Sequence, residues 1–204
     1  MSGAPQIDAL ILDLGNVLAF HDNAKLFREL ARSFRTTPEA MKERLDAGLW
    51  ERVNTGRLPG DALRRELVAR LGTELPAEEW FALWNCHFSL NEPMVRAVER
   101  LVGRLKLVLL SNTHDQHVAF LRPRLPVLER FEGLVLSCEV GAIKPEARIY
   151  QRALELARVP AGRAAFFDDV QAYADAATAL GINGRLFTTV ERFTAQLAEL
   201  GVAP

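Results

Sequence analysis

Hydrophobic and polar positions follow two different rhythms along this chain, and the change between them divides it. The first apolar run, Ile7-Asp8-Ala9-Leu10-Ile11-Leu12, is short and reads as a buried strand. It ends in a single carboxylate, Asp13, followed by the turn signal Gly15-Asn16. From about Asn23 to Phe88 the apolar residues recur only at helical spacing. Leu26, Phe27, Leu30, Ala31 and Phe34 form one stripe behind Asp22 or Asn23 as a cap. Thr37-Pro38 supplies an N-cap and a first helical residue for Met41, Leu45 and Leu49, with Gly48 and Gly56 as punctuation. Asp61 suits a cap for Leu63, Leu67, Val68 and Leu71, closed by Gly72, and Pro76 opens a helix with Trp80, Phe81, Leu83 and Trp84.

From Asn91 onward short apolar runs alternate with helical stripes. The strand candidates are Leu105 to Leu110, Gly133 to Ser137, Ala164 to Phe167 and Arg185 to Thr188. The intervening helices begin at Asn91-Glu92-Pro93, after Thr113, at Pro145 and at Ala172, and a last helix carries Phe193, Leu197 and Leu200. Strand–helix alternation implies a parallel sheet with right-handed crossovers. The expected fold class is therefore α/β: a Rossmann-like parallel sheet core over residues 1–18 and 90–204, with an all-helical insertion over 19–89 after the first strand.

Composition narrows the picture without changing it. The 204 residues are 49% hydrophobic and 25% charged, an ordinary globular balance. A formal net charge of -1 points to neither a nucleic-acid nor a membrane surface. No apolar run approaches the ~20 residues of a membrane span, and the N-terminus lacks the pattern of a secretory signal. Cys86 and Cys138 are far apart and make no CxxC pair, so a reduced cytoplasmic setting is expected and both thiols read as small apolar fillers.

Chemistry-bearing residues fall just past four strand ends, which a parallel sheet brings to one edge. Asp13 follows the first strand; taken alone it suits a capping carboxylate as well as a nucleophile. Ser111-Asn112-Thr113 runs from the second strand towards a helix, where a hydroxyl and free N–H groups suit either an anion or plain N-capping. Lys144, held out of helical geometry by Pro145, would place a cation at the mouth of the site or on the solvated surface. Asp168 and Asp169 are adjacent carboxylates at the end of a buried strand, a costly pairing that a hard divalent ion would relieve. His21, His87, His114 and His117 share no metal-ligand spacing. His87 reads as packing, and Trp50, Arg52 and Trp84 as core or rim of the insertion.

These four segments, in this order, resemble the motifs of the haloacid dehalogenase-like hydrolase superfamily across the whole chain. Asp13-Leu14-Gly15-Asn16-Val17 resembles the first motif and Leu110-Ser111-Asn112-Thr113 the second. Lys144-Pro145-Glu146-Ala147-Arg148-Ile149-Tyr150 resembles the third, and Phe166-Phe167-Asp168-Asp169 with its trailing helix the fourth. Within the superfamily the chain is similar to phosphatases with a helical cap inserted after the first motif, including the α-D-glucose-1-phosphate phosphatase type. The resemblance implies a Mg2+-dependent phosphatase acting on a small phosphorylated metabolite, a sugar phosphate foremost, through an aspartyl-phosphate on Asp13. It implies metal held by Asp13, the carbonyl of Gly15, and Asp169 with Asp168 beside it. It also implies phosphate bound by Ser111, the N–H of Asn112, and Lys144.

Two positions depart from that pattern. Gly15 stands where most such phosphatases carry an aspartate that protonates the leaving oxygen, and Tyr173 where relatives often carry Asn. Glycine retains the carbonyl but not the acid. Two alternatives follow: a metal-independent 2-haloacid dehalogenase, against which Asp168-Asp169 argues, or a catalytically weak relative that binds a metabolite without turning it over.

Overall fold

A computed structural model of the chain describes residues 6–46 and 48–202. Residues 1–5 and 203–204 of the expected core range, and residue 47 of the expected insertion, lie outside the described residues. Five parallel strands form the central sheet: β1 (Ala9–Leu12), β4 (Lys106–Ser111), β5 (Gly133–Leu136), β6 (Ala164–Asp168) and β7 (Asn183–Leu186). Their spatial order is β5-β4-β1-β6-β7. The chain therefore starts in the middle of the sheet, builds outward on one side through β4 and β5, and returns to build the other side. That reversal beside β1 is the topological switch point where open α/β sheets hold ligands.

Strand periodicity sorts the core. Leu10 and Leu12 of β1, Leu107 and Leu109 of β4, and Ala165 and Phe167 of β6 face one layer, with Met94, Val98, Phe193 and Leu197. These last four lie on α6 (Glu92–Glu99) and α11 (Val190–Glu199). Ala9, Ile11, Val108, Leu110 and Phe166 face the opposite layer. There they meet Ile149, Tyr150 and Ala153 of α9 (Ala147–Ala157) and Ala177 of α10 (Gln171–Ala179). Strands buried on both faces explain why they read as unbroken apolar runs.

Between β1 and α6 the described residues form five helices: α1 (Asn23–Ser33), α2 (Pro38–Asp46), α3 (Leu49–Asn54), α4 (Gly60–Leu71) and α5 (Ala77–Trp84). They bury a core of their own around Leu26, Leu30, Met41, Leu45, Leu63, Leu67, Trp80 and Trp84. Asp22 caps α1 by accepting from the Lys25 N–H at 2.9 Å, and the Thr37 hydroxyl accepts from Ala40 at 3.2 Å. Asp61 is not a cap: it pairs with Arg64 and Arg65, and α4 begins behind Pro59. The helical segment is tied to the sheet by a two-stranded antiparallel ribbon, β2 (Ala19–His21) with β3 (Phe88–Leu90). The hydrophobic pattern did not announce it.

Two other elements differ from the sequence expectation. The last strand lies two residues earlier, over Asn183–Leu186, because Gly184 allows α10 to press directly on it. A Cβ there would stand 2.0 Å from the Ala174 carbonyl oxygen. The short helix α7 (Asp115–Leu121) starts only after His114, leaving Ser111 as the last residue of β4 and Asn112-Thr113 in a loop rather than at a helix N-terminus. Among the described residues no helix is long and apolar enough to cross a membrane.

Candidate active site

The carboxyl edge of the sheet gathers the predicted residues around Asp13. Its N–H donates to the Phe167 carbonyl of β6 at 3.0 Å, so the residue leaves β1 still held by its neighbour. Asp13, Ser111, Asn112, Lys144 and Asp169 all line one cavity of about 450 Å³. One carboxylate oxygen from each of Asp13, Asp168 and Asp169 lies within 4.8 Å of the other two.

Lys144 is not a surface lysine. It is 2% exposed, and its Nζ donates to Asp13 Oδ1 at 2.7 Å and to Asp168 Oδ2 at 2.5 Å. Burial by itself would push the ammonium down. The two carboxylates outweigh burial and hold it above the ordinary lysine range. Burial raises the Asp13 carboxyl against the pull of Lys144. Burial and the neighbouring Asp13 charge push Asp168 up to about 6. Asp168 is fully buried and also accepts from the Val170 N–H at 2.8 Å, which makes it an anchor for Lys144 and for its own loop. Asp169, the more open member of the pair, accepts from Asn16 Nδ2 at 2.8 Å.

The loops are locked by side chains whose sequence signal was ordinary. Asn112 clamps the Lys144 backbone, donating to its carbonyl at 3.1 Å and accepting from its N–H at 2.7 Å. The Thr113 N–H donates to Ser137 Oγ at 2.9 Å, and that hydroxyl donates back to the Thr113 carbonyl at 3.0 Å. Tyr173 lies with its ring 5.2 Å from Lys144 Nζ, and its carbonyl accepts from the Tyr150 hydroxyl at 3.0 Å. Asn16 takes a left-handed conformation, φ 52°, which asparagine tolerates better than most residues. That places its amide between Asp169 and His21.

The other wall of the cavity comes from the helical segment and the ribbon, with Asn23, Trp50, Asn54, His87 and Phe88, and from His117 of α7. Trp84 and Arg52 do not line it: Trp84 is fully buried and Arg52 pairs with Glu66. All four histidines of the chain join one aromatic array. His21 and His87 are 6.3 Å apart, His87 and His117 5.5 Å, and His117 and His114 3.7 Å. Trp84 Nε1 donates to His114 Nε2 at 2.9 Å, Trp80 Nε1 donates to Gln116 at 2.7 Å, and the Gly60 N–H donates to Asp115 at 3.1 Å. Three consecutive residues at the start of α7 thus grip the helical segment.

Burial pushes His87 down to about 4 and His117 well below the ordinary histidine range, so both stay neutral when folded. The unfolded chain takes up these protons near pH 6.5, the folded chain only far lower. The stability that these two neutral histidines contribute is therefore fully present above pH 6.5 and is lost as the pH falls towards 4. The His87 share of that loss is about 3 kcal/mol over the full window. Urea midpoints measured from pH 7 to 4.5 are expected to fall less steeply for His87→Phe than for the parent; identical slopes would contradict a neutral buried His87.

Comparisons with known proteins bear on the family and the fold. A D-ribitol-5-phosphate phosphatase of Bacteroides thetaiotaomicron is 24% identical over 173 residues, which cover 80% of this chain and 83% of that protein. A crystal structure of a HAD family enzyme from the same organism superposes with a TM-score of 0.85 at 23% identity, over 94% of this chain and 98% of its own. A structure of that enzyme in complex with magnesium and inorganic phosphate matches with a TM-score of 0.83 at 23% identity, over 93% and 98% of the two chains. The profile of the haloacid dehalogenase-like hydrolases matches residues 7–181, spanning β1, the helical segment and the sheet as far as β6 and α10, and the chain belongs to that family of hydrolases.

Proposed function

We propose that this protein is a Mg2+-dependent phosphatase of small phosphate monoesters, acting through an aspartyl-phosphate on Asp13. The observation that carries the reading is the charge pattern around Asp13. Three carboxylates converge there, and the one ammonium among them, Lys144, is committed to two of them. That donor set of hard oxygens with excess negative charge fits Mg2+, which takes one or two carboxylates together with phosphate and water. Asp13, Asp169 and the Gly15 carbonyl would hold it, with Asp168 behind. Bound there, the ion would supply positive charge to the phosphoryl group and to the attacking carboxylate.

The chain's own residues account for the rest. Asp13 attacks phosphorus, the ester bond to the leaving alcohol breaks, and water later cleaves the acyl phosphate. Lys144 keeps one Asp13 oxygen fixed and offsets charge as phosphate arrives. Ser111 and the Asn112 N–H would bind phosphoryl oxygens. The helical segment, residues 19–89 in the expected division, would act as the cap that excludes water and selects the leaving group, with residues 1–18 and 90–204 as the catalytic core.

A sugar or polyol phosphate is the substrate class we favour. Beyond Asp13, Lys144 and Asp169, the cavity wall offers amides at Asn23 and Asn54, neutral imidazoles at His87 and His117, and the indole of Trp50. Such a surface hydrogen-bonds hydroxyls and stacks on C–H faces, and among the described lining residues no second lysine or arginine is offered to a carboxylate substrate such as a haloacid. The name of the ribitol-phosphate phosphatase relative supports the same choice.

The test is phosphate release over a panel of sugar phosphates, polyol phosphates, nucleotides and phosphorylated acids, with Mg2+ and with EDTA. Turnover is expected to need Mg2+ and to favour neutral polyhydroxy esters. Full activity in EDTA, or metal-free chloride release from chloroacetate, would overturn the proposal in favour of a dehalogenase. Binding without turnover across the panel would identify a catalytically weak binder.

A further inference from the structure

The chain has three tryptophans, and all three form one column. Trp80 and Trp84 of α5 are fully buried and stack with ring centres 4.7 Å apart and planes 18° from parallel. Trp50 of α3 stacks on Trp84 in turn, at 5.5 Å and 29°. It is the member that reaches the cavity, half-buried where the other two are enclosed. The two buried members are fastened to the core: Trp80 Nε1 donates to Gln116 Oε1 at 2.7 Å and Trp84 Nε1 to His114 Nε2 at 2.9 Å. The Trp50 indole therefore rests one side on a rigid support, and its orientation is set before any ligand arrives.

Core packing alone accounts for Trp80 and Trp84. It does not account for Trp50, whose ring borders a cavity lined largely by polar groups. An indole in that position gains from a C–H surface laid against it. Asn54 lies one helical turn beyond Trp50, so both project from the same side of α3, and both line the cavity. Asn23 joins them from the start of α1. The cap of that helix is Asp22, which leaves the Asn23 amide without capping duty. Neither side-chain amide is bonded to another described residue. A primary amide carries two donors and an acceptor, which suits it to hydroxyls that both give and take a hydrogen bond.

Charge completes the pattern. Lys144 is the one lysine or arginine among the described lining residues, and Asp13 and Asp168 hold it. A ring for C–H groups, amides for hydroxyls and no further lysine or arginine are the complement of an uncharged polyhydroxy chain.

We infer that Trp50 is the specificity-determining residue of the site. Its indole seats the C–H face of a sugar or polyol leaving group, while Asn54 and Asn23 take the hydroxyls. The inference rests on the phosphatase reading above and names the surface that chooses among phosphate esters. A surface that touches the leaving group far from phosphorus holds substrate and transition state alike. Its loss is therefore expected to raise KM more than it lowers kcat.

Three esters test this in the full chain with Mg2+: sorbitol 6-phosphate, n-hexyl phosphate and ethyl phosphate. The first two share a carbon count, and only the first carries hydroxyls. Ethyl phosphate lacks the chain that would lie on the ring. Trp50→Leu keeps an apolar side chain against Trp84 and removes the aromatic face. Its kcat/KM is expected to fall roughly 30-fold for sorbitol 6-phosphate, chiefly through KM, and no more than about threefold for ethyl phosphate. Trp50→Phe should regain most of that loss, which a merely structural defect would not allow. Asn54→Leu is expected to cost sorbitol 6-phosphate about tenfold more than hexyl phosphate. Equal losses on sorbitol and ethyl phosphate in Trp50→Leu would overturn the role of this surface while leaving the phosphatase reading intact. So would equal losses on sorbitol and hexyl phosphate in Asn54→Leu, or a parent that prefers adenosine 5′-monophosphate to sorbitol 6-phosphate, since the ring would then seat a base. A parent that releases phosphate from none of these esters with Mg2+ would remove both.

Discussion

Asp13→Asn is expected to abolish phosphate release while the protein stays folded. An amide cannot attack phosphorus, so no covalent intermediate forms. The structure supplies the reason the fold should survive. Asparagine is nearly the same size, and Lys144 keeps its second partner, Asp168, at 2.5 Å. A buried carboxylate whose ionised form is penalised by burial is replaced by a neutral group. The parent, quenched in acid during turnover, should carry one added phosphoryl group on Asp13 by mass spectrometry, and the variant none. Its far-UV circular dichroism and thermal midpoint should match the parent within a few degrees. Retained turnover, or a phosphoryl group on another residue, would remove Asp13 as nucleophile. Loss of activity together with loss of fold would place Asp13 in the structural role of Lys144.

Much of this arrangement was legible because parallel sheets concentrate information at one edge. β1, β4 and β6 are buried on both faces, and β5 is buried over its last two residues, so they stand out as short apolar runs, and the polar residues beyond them mark the same side of the sheet. Asp13, Ser111 and Asp169 converge for that reason, and Lys144 reaches them through the loop beyond β5. β7 was misplaced because it is an edge strand whose residues are all partly exposed and whose Gly184 answers to a helix rather than to the pleat. The β2–β3 ribbon was hidden because three-residue strands carry too few positions to show alternation. Its consequence, His21 beside Gly15, was hidden with it. Nothing in the spacing of residues 21, 87, 114 and 117 indicates that they share an array, since they come from a ribbon strand, a loop before its partner, a helix cap and a helix. Lys144 was visible as a cation near the site. Its double pairing depends on the path of the loop that Asn112 clamps, which no local pattern encodes.

That double pairing makes Lys144→Met the substitution with the largest expected cost in stability. Methionine fills much the same volume, so packing changes little. What is lost is the ammonium between Asp13 and Asp168, two carboxylates that are 6% and 0% exposed. Removing one partner of a buried ion pair strands the charge left behind and costs roughly 3–5 kcal/mol. That is a large share of the roughly 5–15 kcal/mol that holds a typical domain together. The urea midpoint should fall accordingly with an unchanged slope, and phosphate release should vanish, since Asp13 loses its orienting partner. Asp168→Asn removes one of the stranded charges, so Lys144→Met/Asp168→Asn should be more stable than Lys144→Met alone. Such non-additivity is the signature of direct coupling. Recovery of stability in the double variant without recovery of turnover would separate neutralisation of a buried pair of acids from the proposed role of Lys144 in presenting one of them to phosphorus. A loss below about 1 kcal/mol in Lys144→Met would instead put this ion pair in the range of an exposed one, and the charge balance at the centre of the site would have to be drawn again.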